Sequence, residues 1–457
     1  MLSAVPYLQA SVILLAWLAF TFWCYRQPIK RWWLGTAATG TTLVAYASEG
    51  GTASALANQL HQQLQKQGEP CACLPLNQLQ PQQLQQCRQL FIIASTYGDG
   101  EAPDNGRLFL PRLRQTQPLT QLRYAVLALG DRQYSQFCAF GMQLHQQLQQ
   151  AGAQPLFDAI TVHQQDPQAL QRWQQQLHEQ GIIREPCSTN VPTPDSEPIA
   201  CTLQQRHWLN PGSPGDPVYQ IDLQPQQPLQ WQAGDIARLH INNQTRDYTI
   251  ASLPAEGCLR LLVREHHHPS GQTGLGSGWL CHGLEAGQAA HISLRSNPSF
   301  HAPDAERPLI LIGNGTGLAG LRAHLQQRQQ QRQQQGSSHN WLIYGERSPL
   351  HDTHWQQELQ HWHHSGHLQQ LDLAFSRHCA DQPWPLLSGQ LHHGYVQKVL
   401  QTQARELQHW VEQGAAIYLC GSRAGMATDV EQTLSDILGP TRLQQLIEQG
   451  RFRRDVY

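Results

Sequence analysis

TLVAYASEGGTAS, residues 42–54, opens as an apolar run of strand type and ends in a loop of hydroxyls and glycines that leads into a helix. Backbone N–H groups at a helix start attract a phosphate, the helix dipole favours it, and small residues let it come close. No Lys stands in the loop, so it is not a triphosphate loop of the GxxxxGKS/T kind. By itself the loop equally fits an ordinary tight strand-to-helix turn. Two further strand ends change that balance. Phe91–Ala94 leads into Ser95-Thr96-Tyr97-Gly98-Asp99-Gly100-Glu101, and Tyr124–Leu129 leads into Gly130-Asp131-Arg132-Gln133-Tyr134. In a doubly wound sheet such loops converge on one crevice at the carboxyl ends of the strands. Two aromatics on separate loops, with a phosphate loop beside them, favour a flavin.

Working outward, short apolar runs alternate with amphipathic Gln/Leu helices as far as about Glu185, which indicates a parallel sheet with helices on both faces. Residues 186–197 (PCSTNVPTPDSE) are Pro/Ser/Thr-rich and read as a linker. From 198 to 303 short β-rich runs separated by Gly/Pro turns, among them Val218–Leu223, Asp235–Ile241 and Leu259–Val263, suggest an antiparallel barrel. From 304 to 457 strand–loop–helix alternation returns, so the fold class is multidomain α/β plus β. The glutamine tract at 326–335 reads as the exposed face of a helix.

Ahead of the first strand, Tyr7–Cys24 contains no acid or base. Eighteen helical residues rise roughly 27 Å, close to the roughly 30 Å hydrocarbon core of a bilayer. Arg26, Lys30 and Arg31 follow and no Lys or Arg precedes, which places the bulk of the chain in the cytoplasm. The expectation is a transmembrane anchor and juxtamembrane segment over residues 1–35 and a single-pass protein of the cytoplasmic membrane. A net charge of −2 lacks the basic excess of a nucleic-acid binder. Eleven scattered cysteines without a CxxC pair suggest a reducing compartment. His266-His267-His268 and the histidines at 361–364 lack a partner set with metal-ligand character and read as solvated loops, so no metal is expected.

In the C-terminal part, Gly315, Thr316, Gly317 and Gly320 belong to a GxGxxG after the strand Leu309–Ile312, a glycine pattern that lets a pyrophosphate approach the backbone. Leu371–Phe375 ends in Ser376-Arg377, where an NAD-type site commonly places an acid. A hydroxyl and a guanidinium there favour the extra 2′-phosphate of NADP, hence NADPH.

STYGDGEAPDNG (95–106) and LALGDRQYSQFCAFG (127–141) resemble the flavodoxin-like domains of the diflavin reductases, the sulfite reductase flavoprotein and cytochrome P450 reductase group. The resemblance implies an FMN domain at 36–185, with Ser48, Glu49, Gly50, Gly51, Thr52 and Ala53 around the phosphate. Tyr97 and Tyr134 would flank the ring. Ser95, Thr96, Gly98, Gly100, Leu129, Gly130, Asp131, Phe137 and Cys138 would supply the rest of the FMN site. The family usually has a hydroxyl where Gly50 stands. Arg246-Asp247-Tyr248-Thr249-Ile250-Ala251-Ser252 resembles the FAD motif of ferredoxin-reductase-like barrels. There Arg246 would pair with the pyrophosphate, Tyr248 would stack on the isoalloxazine and Thr249 would reach flavin N5, with Ser252 completing the motif. Gly274, Leu275, Gly276 and Ser277 look like the family's second pyrophosphate loop, at a helix N-terminus.

The same resemblance gives an FAD barrel at 198–303 and an NADPH domain at 304–457. Tyr395 and Gln397 match the adenosine segment, although His393 stands where a Lys is often found. YLCGSRAGMATDV (418–430) resembles the nicotinamide-side strand and loop, which contains Asp429. Tyr457 would cover the FAD ring, and Thr249, Cys420 and Asp455 would surround the hydride transfer. Many diflavin reductases carry a helical insert in the barrel, whereas here Asp235–Ile241 passes to Arg246 within a few residues. The implied activity is an NADPH-dependent relay through FAD and FMN to a heme or membrane redox protein. Direct reduction of ferric chelates or quinone is an alternative, and a catalytically decayed flavin-binding membrane scaffold is another. Asp99, Glu101, Asp104 and Asp131 form an acidic rim at the expected exit.

Overall fold

A computed structural model describes residues 42–457 except 49, 98–99, 115, 117, 133–134, 165, 187–195, 243, 269–270, 336–338 and 379–383. The chain divides into two compact units, one of residues 1–47, 56–102 and 106–190 and the other of residues 48–55, 103–105 and 191–457.

The first unit is built on β1 (Thr42–Ala47), β2 (Cys71–Pro75), β3 (Gln89–Ser95), β4 (Arg123–Gly130), β5 (Gln154–Pro155) and β6 (Ile160–His163). All pair in parallel, in the order β2-β1-β3-β4-β5 with β6 also against β4. The chain leaves β1 toward one edge and β3 toward the other, so the two central strands make the switch point. Leu90, Ile92 and Ala94 pack with Phe140, Leu144 and Leu148 of helix Ala139–Gln150 on one face. Phe91 and Ile93 alternate to the opposite face and are equally buried. That is why β3 is an unbroken apolar run: a parallel sheet covered on both sides has no solvent face.

The second unit holds two sheets. β7 (Ile199–Trp208), β8 (Val218–Pro225), β9 (Ile236–Ile241), β10 (Gln244–Thr249), β11 (Leu259–Arg264) and β12 (Ala289–Arg295) run antiparallel in the order β10-β9-β12-β7-β8-β11. An isolated bridge, Ile250 to Leu261, links the two ends and closes the sheet toward a barrel. The β9–β10 hairpin turns at Asn242, with φ at 48°, a left-handed conformation that Asn tolerates better than most residues. β13 (Leu309–Asn314), β14 (Asn340–Glu346), β15 (Gln370–Phe375), β16 (Gln390–His393), β17 (Ala416–Gly421) and β18 (Phe452–Val456) form a parallel sheet ordered β16-β15-β14-β13-β17-β18.

Barrel and parallel sheet share one core: Val218, Ala251, Leu262 and Phe300 pack with Leu309, Leu311, Leu318 and Tyr418. Arg322, on helix Leu318–Gln335, ties the two together through polar contacts. Its guanidinium donates to the Ala251 carbonyl at 2.6 Å and to the Glu256 and Glu358 carboxylates at 3.1 and 2.6 Å. The barrel strand that carries residues 246–252 is thereby fixed against the C-terminal sheet.

Three expectations are corrected. The segment read as a transmembrane anchor, residues 7–24, lies outside the described residues. Among the described residues no helix is long and apolar enough to cross a membrane. The longest described helix, 318–335, is interrupted by arginines and glutamines. The single-pass cytoplasmic-membrane location and the membrane as partner are therefore withdrawn. His361, His363 and His364 are not in a loop: they sit on helix Gln356–His364. The glutamine tract is not simply an exposed face either, because Gln326 donates to Glu358 and Gln329 accepts from the Trp362 indole.

Candidate functional site

The three loops that follow β1, β3 and β4 stand at the carboxyl ends of neighbouring strands. Ser48 is 8% exposed and its Oγ has no hydrogen-bond partner among the described residues, while its N–H donates to Asn105 Oδ1 at 2.9 Å. Gly51 turns with φ at 82°, and helix Thr52–Lys66 starts directly after it, Ser54 Oγ donating to the Gly51 carbonyl. A buried hydroxyl without a partner beside a helix N-terminus fits a phosphate.

The loop after β3 is closed on itself by paired backbone bonds between Tyr97 and Glu101, and Thr96 N–H reaches the Leu129 carbonyl at 2.8 Å. The end of β3 is thus joined to the end of β4 through Thr96 and Leu129. Asp131 accepts from Gln164 Nε2 at 2.7 Å and lies 3.8 Å from the His163 ring. Cys138 is fully buried and its thiol donates to the Ala128 carbonyl, so it turns into the core rather than toward the crevice. Phe137 lies beside it against the core cluster. Glu49, Gly98, Asp99 and Tyr134 lie outside the described residues.

The second unit carries two clefts. One, of about 470 Å³, is lined by Arg246, Tyr248, Thr249, Gly274, Leu275, Gly276 and Ser277. Gly276 is required by a close approach: a Cβ there would stand 2.6 Å from the Tyr248 hydroxyl and 2.8 Å from Arg246 Cγ. Leu275–Gly278 forms one helical turn after Gly274, and its first three residues line the cleft with Gly274. Ser252 is not part of this lining. It is fully buried, donates to the Cys258 carbonyl and accepts from Arg260 N–H, so it pins the strand instead.

The other cleft, of about 980 Å³, brings together Gly315, Thr316, Ser376, Arg377, Tyr395, Gln397, Asp429 and Tyr457, residues from five separate segments. Gln397 Nε2 donates to Asp429 Oδ2 at 3.1 Å. Gly317 does not line it; the position of its missing Cβ is occupied by the Cys420 carbonyl. The two clefts share Arg264, His266, Thr316 and Tyr457. At this junction the Tyr457 hydroxyl donates to Thr316 Oγ1 at 2.9 Å.

Beneath it, Thr249 Oγ1 donates to Asp455 Oδ2 at 2.6 Å, and Cys420 Sγ approaches the same oxygen at 3.7 Å. Burial pushes the Asp455 carboxyl above its ordinary range, and burial followed by the Asp455 charge pushes the Cys420 thiol well above its own. Both groups therefore keep protons more readily than they would in water. Arg264, Glu346, Arg347 and Asn314 also line the larger cleft and were not singled out from the sequence. Asn314, directly before the glycine loop, was the one with a local signal; its Oδ1 accepts from Ser422 N–H at 3.0 Å.

A phosphate-ready strand–helix loop in a doubly wound domain, and a barrel whose cleft opens into that of a glycine-loop domain, define an NADPH-dependent flavoprotein reductase. Residues 44–174 match the Flavodoxin family model, and residues 311–432 match that of the oxidoreductase NAD-binding domain. Among characterised proteins, the chain is similar to the sulfite reductase (NADPH) flavoprotein alpha-component of Bacillus subtilis (strain 168), at 24% identity over 91% of this chain and 89% of that one. The Thiocapsa roseopersicina protein of the same description is 27% identical over 84% and 82%. That of Yersinia enterocolitica is 25% identical over 97% and 95%. Together these matches support membership of the diflavin reductase family, with FMN, FAD and NADPH as cofactors.

Proposed function

We propose that this chain passes electrons from NADPH through FAD to FMN and then singly to a heme protein. In that proposal residues 36–185 hold FMN, 186–197 link, 198–303 hold FAD and 304–457 hold NADPH. The observation that carries it is the junction of the two clefts at Thr316 and Tyr457, with Thr249, in the wall of the smaller cleft, bonded to Asp455 beside Cys420.

When bound, the nicotinamide and the flavins supply the redox chemistry; the protein supplies placement and proton control. Ser376 and Arg377 would hold the 2′-phosphate end, and Tyr395 the adenosine. Arg246 and the turn at Gly274–Ser277 would hold the FAD phosphates. Asp455 accepts from the Thr249 hydroxyl with the Cys420 thiol beside it, and burial raises its affinity for a proton. Tyr457 lines both clefts, so it must move for ligands in the two to meet. Ser48 and the start of helix 52–66 would hold the FMN phosphate, and Tyr97 would lie against the ring. The relatives support a protein acceptor, since they are named as the flavoprotein alpha-component of a sulfite reductase and so favour delivery to a second protein.

The test is to release and quantify the flavins of the purified protein, titrate it anaerobically with NADPH, and follow one-electron reduction of a heme protein. Equal amounts of FMN and FAD are expected, with heme reduction lost when FMN is stripped and restored when it is added back. One flavin alone, or heme reduction indifferent to FMN, would sink the relay.

A further inference from the structure

We propose that Arg264 is a phosphate-positioning residue, whose guanidinium takes the diphosphate of the nicotinamide dinucleotide where the two clefts meet. The proposal rests on the larger cleft being the NADPH site. Arg264 ends β11 and lines both clefts. Its Nη2 donates to Glu346 Oε1 at 2.5 Å, whereas Nη1 is buried and has no partner among the described residues. The Glu346 bond and the burial of Nη1 fix the guanidinium plane, and a cation so held is preorganised for an anion at its remaining edge.

The geometry around Gly315 selects which anion. Gly315 adopts φ at 56°, and a Cβ there would stand 3.3 Å from Arg264 Nη2 and 3.7 Å from Glu346 Oε1. A diphosphate drawn to the glycine turn is therefore beside Arg264. Of the other arginines lining this cleft, Arg347 and Arg377 lie together at the ends of β14 and β15, joined by the bond from Arg377 N–H to the Arg347 carbonyl at 2.8 Å. The smaller cleft has its own cation in Arg246 and its own helical turn at Leu275–Gly278. Arg264 is thus the guanidinium beside the glycine turn.

Glu346 explains why that cation is needed. It is a buried carboxylate in the wall of an anion site, and it stays ionised. Burial would raise its pKa, but His354, with Nε2 at 3.4 Å, and the Arg264 charge outweigh this and hold it below the ordinary range. Without Arg264 the diphosphate would face an uncompensated negative charge. Arg264 therefore has two effects, neutralising Glu346 through Nη2 and presenting the Nη2–Nε edge of its guanidinium to a ligand at the glycine turn.

The test is calorimetric titration of the purified holoprotein with NADP+ and, separately, with adenosine 2′-monophosphate, which lacks the diphosphate. Arg264→Met is expected to weaken NADP+ about 30-fold and adenosine 2′-monophosphate by less than about two-fold. Bound FAD should stay at the wild-type level. Adding Glu346→Gln to that variant should recover about five-fold of the lost NADP+ affinity, because the repulsion is removed. If Arg264→Met fails to fold, Arg264→Lys decides, since it keeps the charge but not the planar fork; NADP+ should still weaken selectively. Unchanged NADP+ affinity, an equal loss for both ligands, or loss of FAD with NADP+ binding intact would each overturn the proposal. A wild-type protein that binds neither nucleotide would instead overturn the NADPH reading beneath it.

Discussion

Arg322→Met should loosen the barrel from the C-terminal sheet and weaken FAD retention together. Arg322 is 4% exposed, and the substitution removes its bonds to Glu256, Glu358 and the Ala251 carbonyl. It also removes the guanidinium from the face of Trp355, 5.1 Å from the ring centre. Breaking a fully buried ion pair costs roughly 3–5 kcal/mol. Here the carboxylates keep 22% and 28% exposure, so water takes over part of their solvation. Against that, the Ala251 carbonyl loses a buried donor, worth about 1 kcal/mol. The net expectation is about 3 kcal/mol, which at about 2–4 °C per kcal/mol for a unit of this size lowers Tm by about 6–12 °C. Ala251 lies two residues beyond Thr249, so FAD fluorescence should appear at lower urea than in wild type, ahead of loss of the first unit's far-UV signal. The assay is thermal and urea unfolding of the full chain, with flavin fluorescence recorded beside circular dichroism. A Tm within about 2 °C of wild type, with FAD release at the same urea, would refute the reasoning.

Gly276→Ala would push a methyl against the Tyr248 hydroxyl and Arg246 Cγ. Purified protein should then hold at least about ten-fold less tightly bound FAD while FMN is unaffected, as measured by flavin release and chromatography. Ser48→Ala removes the buried hydroxyl that has no partner; FMN affinity should fall about ten-fold, and the flavin-free protein should be as stable as wild type or slightly more so. Asp235 provides a pH test. Burial alone would raise its carboxyl, but bonds from His301, Gln232 N–H and Asn297 N–H overcome this and hold it below the ordinary range. A carboxylate whose folded pKa is depressed adds stability above its unfolded value and loses it as pH falls through the folded one. Asp235→Asn should therefore lower Tm at neutral pH and flatten the fall in Tm below about pH 4, as read by melts across the acid range; an unchanged acid limb would count against it.

The sequence was legible wherever the physics is local. The cores of β1, β3 and β13 are runs of consecutive apolar residues because both faces of a parallel sheet are covered, and a run of neighbours records that directly. The loops after them were legible for the same reason, since hydroxyls and glycines must stand together where a strand meets a helix start. Given a parallel sheet, convergence at the strand ends follows, and Ser376, Arg377, Tyr395 and Gln397 do line one cleft with Gly315. Ser252 shows the limit: the same motif that puts Tyr248 and Thr249 in a cleft sends Ser252 into the core, because it tethers Cys258 and Arg260 across a turn.

What only the tertiary structure decided are the pairings between distant segments. Arg264 and Glu346 are 82 residues apart, and each alone is an unremarkable charge at a strand end. Cys420 read alone is a small buried thiol, until the sheet sets it near Asp455, which in turn accepts from Thr249 across 206 residues. Local patterning sets elements and loops, since those depend on neighbours in the chain. The charge, protonation and preorganisation of the site depend on neighbours in space, and those exist only once the barrel and the C-terminal sheet share one core.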